Sequence, residues 1–493
     1  MNDRICIITE HGVRENCTDD QTKSIQRLLD ECRENGGTVV IPAGEFYISS
    51  LRMWSNTTLL LRDGARLIGS EDCNDYEVYD VPDGVELRTD MELISQYYEM
   101  THPGGPWREY RRAMISAYGE RNLAIIGEGD ATIDGRHCYD ADGEEGYRGP
   151  HGVFFTNCEN VEFRGYTITS SGNFMHQLDN CRHTHMVDVT CLAGSDGIHL
   201  HCCTDTLIER CRFITGDDCI AGINIRDLTV RDCEINSSCN ATRMGGVGIL
   251  FERCHIHGPG YYPHRKTVVL GKGKELPREE GRHNMLALVD YFASENFPDS
   301  EPSHDIVFRD CVLENLDRIL NYRADTPPLQ KGTLLAELRL ENVEIRGLVN
   351  ASWVAASPVT PLCIVLKDVR CDTPDLPLAD ALVVPSSPHT SVTIVPGRSS
   401  AMCSLSSDTV ADGDTHNITI SASPQPLGSA GRAIAPASSA SSTVSKRRDA
   451  PTTSYLPERV SAIASEPPIS PRPTISTVCF FMKSPLPIRK ASV

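Results

Sequence analysis

The middle of the chain repeats with a period of 22 residues, and this period restricts the fold more than any other feature. Small residues recur on it at Gly172, Gly194, Gly216, Ser238 and Gly260. Between them lie short stretches of alternating apolar and polar residues, each followed by a turn, which is a strand pattern. A repeat of about 20 to 25 residues with two or three strands is typical of one coil of a parallel β-helix. We therefore predict an all-β fold of this kind.

The chain divides into three predicted parts. An N-terminal segment, 1–36, contains an amphipathic helix over about residues 20–35, placed to cover the open end of the β-helix and protect its edge strands. Strand signals fill residues 37–395, interrupted by a proline-rich and charged loop at 261–303. Ser, Pro, Ala and Thr dominate residues 396–493, and such a composition predicts a disordered tail.

Composition narrows the classes of partner. The net charge of -20 disfavours nucleic acids and anionic membranes, but it leaves room for an acidic sugar bound by a few local cations. No run approaches the length of a membrane span, and the first ten residues lack a signal-peptide pattern. We expect a cytoplasmic protein, with an extracellular location left open if the N-terminus is incomplete. The oligomeric state is not constrained.

Cysteine is unusually frequent, with 20 residues in the chain. Five of them, Cys191, Cys211, Cys233, Cys254 and Cys311, occupy what looks like one recurring position after an apolar segment. Small apolar side chains are needed where coils stack, so we interpret these residues as reduced thiols in the core. Adjacent Cys202 and Cys203 lack the ligand spacing of a zinc site, and we predict neither a metal nor a cofactor.

Two acidic units follow the period, Gly194-Ser195-Asp196-Gly197-Ile198 and Gly216-Asp217-Asp218-Cys219-Ile220. In stacked coils their carboxylates share one surface, with the Asp196 and Asp217 backbones roughly 6 Å apart. Three such groups cannot all ionise easily, so at least one should keep its proton to higher pH. That is the property of a general acid. The alternative is that these aspartates cap turns or bind a structural cation.

These units belong to a wider pattern. Gly127-Glu128-Gly129 and Ile133-Asp134-Gly135 precede them, and Gly36-Gly37-Thr38 with the following apolar run opens the strands. In order and spacing, residues 5–370 resemble glycoside hydrolase family 28, the polygalacturonases. The resemblance implies a right-handed parallel β-helix that hydrolyses α-linked galacturonic acid with inversion. It also implies that Asp217 is the general acid, and that Asp196 and Asp218 hold and deprotonate the attacking water.

The next coil departs from the family, because neither its G-H-G nor its R-I-K motif is present. The period puts Asn240 in the column of Asp196 and Asp218, and we predict that it binds the substrate. We predict Arg243 and Arg265, with Lys266 beside the latter, as substitute cations, since arginine binds carboxylates through paired hydrogen bonds. The alternative is that they are ordinary surface charges. The predicted sugar-lining histidines are His176 and His199, with His201 and His264 as further candidates, unless they are structural.

Together these observations predict an inverting glycoside hydrolase acting on pectic or related acidic oligosaccharides or polysaccharides. It would be exo-acting if the loop at 261–303 closes one end of the groove. Two alternatives stay open. One is a β-helix polysaccharide lyase that uses a cation-bound carboxylate, and the other is a carbohydrate-binding β-helix without catalytic activity.

Overall fold

A computed structural model describes most of the predicted β-helix. The described residues are 4–78, 112–139, 148–268, 279–293, 301–324, 333–355, 362–373, 384–385, 391–395 and 475–483. Parts of the predicted loop and nearly all of the predicted tail lie outside them. Within the described ranges no helix is long and apolar enough to cross a membrane.

The strands form a right-handed parallel β-helix, as predicted. Each coil contributes to three parallel sheets. The first, called the site sheet below, contains Leu51–Arg52, Ala113–Tyr118, His151–Thr156, His176–Asp179, Ile198–His201, the first halves of Ile220–Arg231 and Asn240–Glu252, then Ala287–Tyr291, Leu320–Arg323, Trp353–Ala355 and Val384–Pro385.

The other two sheets complete each coil. The second sheet contains Ile5–Ile7, Gly37–Ile41, Thr57–Leu61, Arg121–Gly127, Glu159–Arg164, Arg182–Val187, Thr204–Glu209, the second halves of Ile220–Arg231 and Asn240–Glu252, then His304–Arg309, Glu337–Glu341 and the start of Cys363–Asp372. The third contains Gly44–Ile48, Ala65–Gly69, Thr132–Asp134, Thr167–Thr169, Thr190–Leu192, Arg212–Thr215, Glu234–Ser237, His255–His257, Val312–Glu314, Glu344–Arg346 and the end of Cys363–Asp372.

The 22-residue period is the register of the central coils. His176 pairs with Ile198, Ile198 with Ile220, and Ile220 with Thr242. All four side chains are fully buried. Because strand side chains alternate between the two faces, this column points into the coil and its sequence neighbours point outward.

Buried thiols form part of this interior. Cys211, Cys233, Cys254 and Cys311 stack on successive coils with at most 3% exposure, and all are free thiols. Cys191 does not belong to this column, although the sequence pattern grouped it there. It pairs with Phe213 in the third sheet.

The predicted N-terminal helix is present as Thr22–Glu31. It buries Ile25, Leu28 and Leu29. In the sequence the helix lies between the strands Ile5–Ile7 and Gly37–Ile41. These two strands pair with each other in the first coils. Short 3-10 turns occur at Ile8–His11, Cys73–Asp75 and Arg265–Thr267.

The register changes after Gly260, which corrects the extension of the period to residues 264 and 265. Thr242 pairs with Val289 and Arg243 with Asp290, so the next strand of the site sheet begins at Ala287. The chain leaves the coil near Gly258 and rejoins the site sheet at Ala287. His264 and Arg265 therefore belong to a loop and not to the columns of Thr242 and Arg243.

One strand lies in the segment predicted to be disordered. Ile475–Lys483 runs antiparallel to Cys363–Asp372 and to Ser391–Val395. Its sequence, ISTVCFFMK, is rich in β-branched and aromatic residues, which favour strands. The prediction overlooked this run inside a polar tail.

Candidate active site

Two glycines explain how the acidic units stack so closely. A Cβ atom at Gly194 would lie 2.5 Å from Met175 Cε, and one at Gly216 would lie 2.7 Å from the Pro263 carbonyl oxygen. Both distances are shorter than the contacts that real Cβ atoms make. The recurring glycine thus lets coils and loop approach each other, and it brings the segment after Pro263 over the second acidic unit.

Asp196, Asp217 and Asp218, called the aspartate trio below, converge at the start of the site sheet. Carboxylate oxygens of all three lie within 4.8 Å of one another. Asp196 and Asp218 occupy adjacent coils, because Gly197 N donates to the Asp218 carbonyl oxygen at 3.1 Å. The Asp196 side chain is 4% exposed and that of Asp217 13%. The predicted grouping of three carboxyls on one surface is therefore present.

Burial and mutual repulsion raise two of the three pKa values. Burial raises the pKa of Asp196 well above its usual value, and the charges of Asp217 and Asp218 raise it further. The pKa of Asp218 rises to about 6, through burial and the charge of Asp217. These two carboxyls hold protons to higher pH than an exposed aspartate does.

Asp217 behaves in the opposite way in the free protein. Burial alone would raise its pKa, but the nearby cations His264, Arg148 and Lys266 outweigh burial and hold the pKa well below the usual value. His264 Nε2 lies 3.6 Å from Asp217 Oδ1. Asp217 is therefore the member of the trio that ionises most readily before substrate binds, whereas a general acid must carry a proton.

His264 supplies the imidazole that the motif comparison did not find. It comes from the loop and is 6% exposed. The sequence named it only as a further candidate, because the period placed it on an inward column. In the structure it follows Pro263, which packs on Gly216, and no signal in the sequence shows this contact.

Asn240 lies beside Asp218, as its column predicts. Its Nδ2 donates to Asp218 Oδ1 at 2.8 Å, and its backbone N–H donates to the same oxygen at 3.2 Å. With 5% exposure it holds this carboxyl in place. A direct contact between Asn240 and a sugar stays a prediction.

The two predicted sugar-binding histidines differ in location. His199 lies beside the trio, with Nδ1 2.9 Å from Asp196 Oδ2 and its ring 4.4 Å from that of Phe174. Burial and the charge of His201 keep its pKa well below the usual value, so the ring is neutral. His201 itself lies 3.2 Å from Asp179 and is fully buried.

His176 is not available to a sugar, which corrects its assignment. It points into the coil with no exposed surface. Its Nε2 lies 2.8 Å from the Tyr166 hydroxyl, and its Nδ1 lies 3.1 Å from the Gly197 carbonyl oxygen. Burial lowers the pKa to about 4. His176 is a neutral histidine that supports the backbone next to Asp196.

Arg243 is the predicted cation that faces the trio from the site sheet. Its Nη1 lies 3.9 Å from Asp218 Oδ2, and its Nε lies 3.4 Å from Asp290 Oδ2. Its guanidinium lies 4.9 Å from the ring centroid of Phe292. The side chain is 29% exposed, so a bound molecule has access to it.

Arg265 does not reach a substrate, which corrects its assignment as a substitute cation. It is 1% exposed and donates to the carbonyl oxygens of Ser171 and Gly172 at 2.8 and 3.2 Å. Its guanidinium also lies 4.2 Å from the Tyr139 ring centroid. Arg265 therefore fastens the loop to the coil, while its neighbour Lys266 is exposed and acts on Asp217.

Replacing Arg265 by Met is expected to destabilise the fold by about 2 kcal/mol, because two backbone acceptors lose charged donors. Displacement of His264 and Lys266 should also raise KM. Denaturant unfolding and steady-state kinetics measure the two effects. Arg253→Met, which removes an exposed arginine paired with Asp232, is the control and should change neither. A fully stable Arg265→Met protein would show that the hydrogen bonds from Arg265 to Ser171 and Gly172 do not stabilise the fold.

Two further cations escaped the sequence prediction. Arg148 acts on both Asp196 and Asp217, and Arg282 acts on the thiol of Cys239 beside them. Neither belongs to a strand of the repeat, so the period could not place them. Among the described residues the site is thus acidic at its centre and cationic around it.

Two groups near the centre have the donor atoms of a cation site, namely the aspartate trio and the set Asp217, Cys239 and His264. Arg148, Arg243 and Lys266 act on the same carboxyls. Their positive charges would repel a divalent ion, whereas they attract an acidic sugar. The arrangement therefore fits hydrolysis by carboxyl groups better than a cation-dependent lyase reaction.

The fold and the trio agree with the arrangement that the resemblance to family 28 predicts, a parallel β-helix with three carboxyls at the start of one sheet. Comparison with known proteins agrees, since residues 99–234 match the model of glycosyl hydrolases family 28. The segment that carries the trio is thus similar to family 28, and the predicted resemblance is confirmed.

Similar proteins include an exo-poly-alpha-D-galacturonosidase of Dickeya chrysanthemi, 29% identical over 132 residues, which are 27% of this chain and 19% of that protein. A probable polygalacturonase of Vitis vinifera is 24% identical over 220 residues, or 41% of this chain and 40% of that protein. The chain thus matches less than half the length of either relative.

The fold is also that of a family 28 exopolygalacturonase of Yersinia enterocolitica, with a TM-score of 0.51 at 17% identity. The match covers 71% of this chain and 68% of the other.

Proposed function

We propose that the protein is a glycoside hydrolase that cleaves pectic or related acidic oligosaccharides at the aspartate trio. One observation carries the proposal: three carboxyls lie within 4.8 Å of one another, while Arg148, Arg243, Lys266 and His264 surround them. Carboxyls supply the acid and base, and the cations attract the sugar carboxylate.

In this mechanism Asp217 protonates the glycosidic oxygen, and Asp196 and Asp218 hold and deprotonate the attacking water. The low pKa of Asp217 in the free protein is compatible with that role. A sugar carboxylate bound to Lys266 and Arg148 would offset two of the charges that lower the pKa of Asp217, while the effect of His264, which is the largest, would remain. Burial would then weigh more and raise the pKa of Asp217, so that a proton can pass to it from Asp196 or Asp218. The carboxylate left there would accept the proton of the attacking water.

Methyl-esterified oligogalacturonides are expected to be poor substrates compared with the free acids. Esterification removes the charge that the cations bind, and charge-assisted hydrogen bonds contribute about 1.5 to 3 kcal/mol each. The value of kcat/KM should fall about 10- to 100-fold. Equal rates on both substrates would contradict an acidic-sugar specificity, and a preference for neutral glycans would replace it.

Lys266→Gln and Arg243→Gln should selectively lower activity on the free acid. Both should leave activity on the ester nearly unchanged, since no sugar charge remains there to bind. Arg346→Gln, in an exposed arginine paired with Glu344, is the matched control.

We further propose that the enzyme inverts the anomeric centre and releases sugars from one chain end. Inversion is what the resemblance to family 28 implies, and the carboxyl spacing does not support it, because the oxygens lie within 4.8 Å of one another and a spacing of about 6.5 to 9.5 Å is usual in inverting enzymes. Proton NMR of the first product gives the anomer. Chain-end release is supported by the described part of the loop after Gly258, in which Pro263 packs on Gly216 and His264 lies 3.6 Å from Asp217. Random internal cuts in a long polymer would refute chain-end release.

A further inference from the structure

A cysteine lies beside the proposed acid, and the mechanism gives it no role. Cys239 directly precedes the strand Asn240–Glu252, one coil after Asp217, and its thiol is partly exposed. Most other described cysteines are buried. Cys239 Sγ, one Asp217 carboxylate oxygen and one ring nitrogen of His264 lie within 4.8 Å of one another. A thiol, an imidazole and a carboxylate therefore meet at one point.

The spacing of these donor atoms suits a tetrahedral metal ion. Zn²⁺ binds sulfur at about 2.3 Å and nitrogen or oxygen at about 2.0 to 2.2 Å, so its neighbouring ligand atoms are about 3.4 to 3.6 Å apart. His264 Nε2 lies 3.6 Å from Asp217 Oδ1, which is longer than a hydrogen bond but close to this separation. The Cys239 sulfur needs a movement of about 1 Å, which a small side-chain rotation supplies.

The backbone holds all three residues in place. The buried Ser237 hydroxyl donates to the Asp217 carbonyl oxygen at 2.6 Å and accepts from the Cys239 N–H at 2.7 Å. The His264 N–H donates to the Arg282 carbonyl oxygen at 2.9 Å. Two adjacent coils and the loop thus present their side chains from fixed positions, so an ion binds with little reorganisation.

The His264 ring has a further feature that fits a ligand. Its Nδ1 is buried and has no hydrogen-bond partner within the described part of the chain. Buried polar atoms without partners are uncommon and call for a functional explanation. No neighbour fixes the tautomer through Nδ1, so Nδ1 can carry the proton while Nε2 offers its lone pair to an ion.

We propose that Asp217, Cys239 and His264, called the thiol site below, bind a thiophilic divalent cation such as Zn²⁺, and that the bound ion inhibits hydrolysis. Sulfur, nitrogen and oxygen ligands with a fourth position left to water suit zinc. The thiol proton passes to the buffer as the ion binds. An Asp217 oxygen bonded to the metal cannot protonate the glycosidic oxygen. The inhibition rests on the proposed function, whereas the binding of the ion does not.

The cations near the site select among metal ions. Arg148 and Lys266 act on Asp217, and their charges disfavour an ion that is held mainly by charge, such as Ca²⁺. Thiolate and imidazole prefer Zn²⁺ to the hard cations because of their softer donor atoms. We therefore expect Zn²⁺ and Cd²⁺ to inhibit, and Ca²⁺ and Mg²⁺ to have no effect.

The test measures metal binding and inhibition separately. Chelator-treated protein is titrated with Zn²⁺ by calorimetry and with Co²⁺ by absorption, because Co²⁺ gains a charge-transfer band when a thiolate binds it. We expect a thiolate-bound ion, and loss of oligogalacturonide cleavage over the same range of Zn²⁺ concentration. Cys239→Ser should abolish the band and weaken inhibition about 100-fold or more, since changes to outer-shell partners alone cost about 10- to 100-fold in affinity.

Cys17→Ser is the matched control, because Cys17 is another partly exposed cysteine beside a carboxylate, that of Asp19. It should keep the band and the zinc inhibition of the parent. His264→Gln leaves the thiol in place and should also weaken cobalt binding, so it tests the site even if Cys239→Ser does not fold.

Two results would overturn the thiol site and leave the proposed function intact. One is equal zinc inhibition of the parent and of Cys239→Ser, and the other is a parent protein without the charge-transfer band. A protein that binds Co²⁺ through Cys239 but cleaves no acidic oligosaccharide would support the site and overturn the proposed function.

Discussion

Asp217→Asn is expected to lower kcat by about 10³-fold, because it removes the proton donor for the leaving oxygen. Asparagine has nearly the same volume, and Asp217 is 13% exposed, so the fold should be retained. The loss should be smallest on substrates with a good leaving group, which need little protonation. Initial rates on an oligogalacturonide and on an activated aryl glycoside measure this difference.

Asp188→Asn is the matched control, since Asp188 is an exposed aspartate paired with Arg210. It should have unchanged activity on both substrates. An Asp217→Asn protein with full activity would end the assignment of Asp217 as the acid. A protein that loses activity equally on both substrates would point to a role in positioning the water.

Asp218→Asn is expected both to inactivate the enzyme and to stabilise it at neutral pH. Loss of a carboxyl that holds the water should lower kcat by about 10²- to 10⁴-fold. The folded protein raises the pKa of this carboxyl from 3.8 to about 6, and an ionised Asp218 at pH 7 therefore opposes folding. The shift corresponds to about 3 kcal/mol. Asparagine cannot ionise, and its Oδ1 can still accept the two hydrogen bonds from Asn240.

The pH dependence has a definite sign. The folded state favours the protonated Asp218 carboxyl. The contribution of this carboxyl to the free energy of unfolding is therefore fully present below about pH 4 and is lost as the pH rises through about 6. Chemical unfolding should show that Asp218→Asn increases the free energy of unfolding, relative to the parent protein, more at pH 7 than at pH 4. Asp188→Asn should show no such gain. An Asp218→Asn protein less stable than the parent at pH 7 would show that ionisation of this carboxyl does not destabilise the fold.

The sequence predicted the grouping of the trio because a β-helix turns a period directly into spatial columns. Once the 22-residue register is known, Asp196, Asp218 and Asn240 must stack. The same register contained the information that His176 points inward, since its column continues in Ile198 and Ile220. The alternation of strand side chains therefore already excludes the interpretation of His176 as a residue of the sugar groove.

Apart from Arg243, which the period does place beside the trio, the surrounding cations could not be predicted in this way. His264, Lys266 and Arg282 come from the loop that leaves the coil after Gly258, and a period carries no information about an insertion. Extending the period through that loop put Arg265 in the column of Arg243, whereas the structure buries it against Ser171 and Gly172. The tail strand Ile475–Lys483 was missed because its composition differs from that of its surroundings.

The central claim is that the trio adds water across a glycosidic bond of an acidic oligosaccharide. The most direct measurement is mass spectrometry of the products formed from a defined oligogalacturonide in ¹⁸O-labelled water. We predict saturated products, with one ¹⁸O atom at the new reducing end for each bond cleaved, and no product with Asp217→Asn. Unsaturated products without ¹⁸O would identify a lyase, and the absence of any product from the unmodified protein would leave a carbohydrate-binding β-helix.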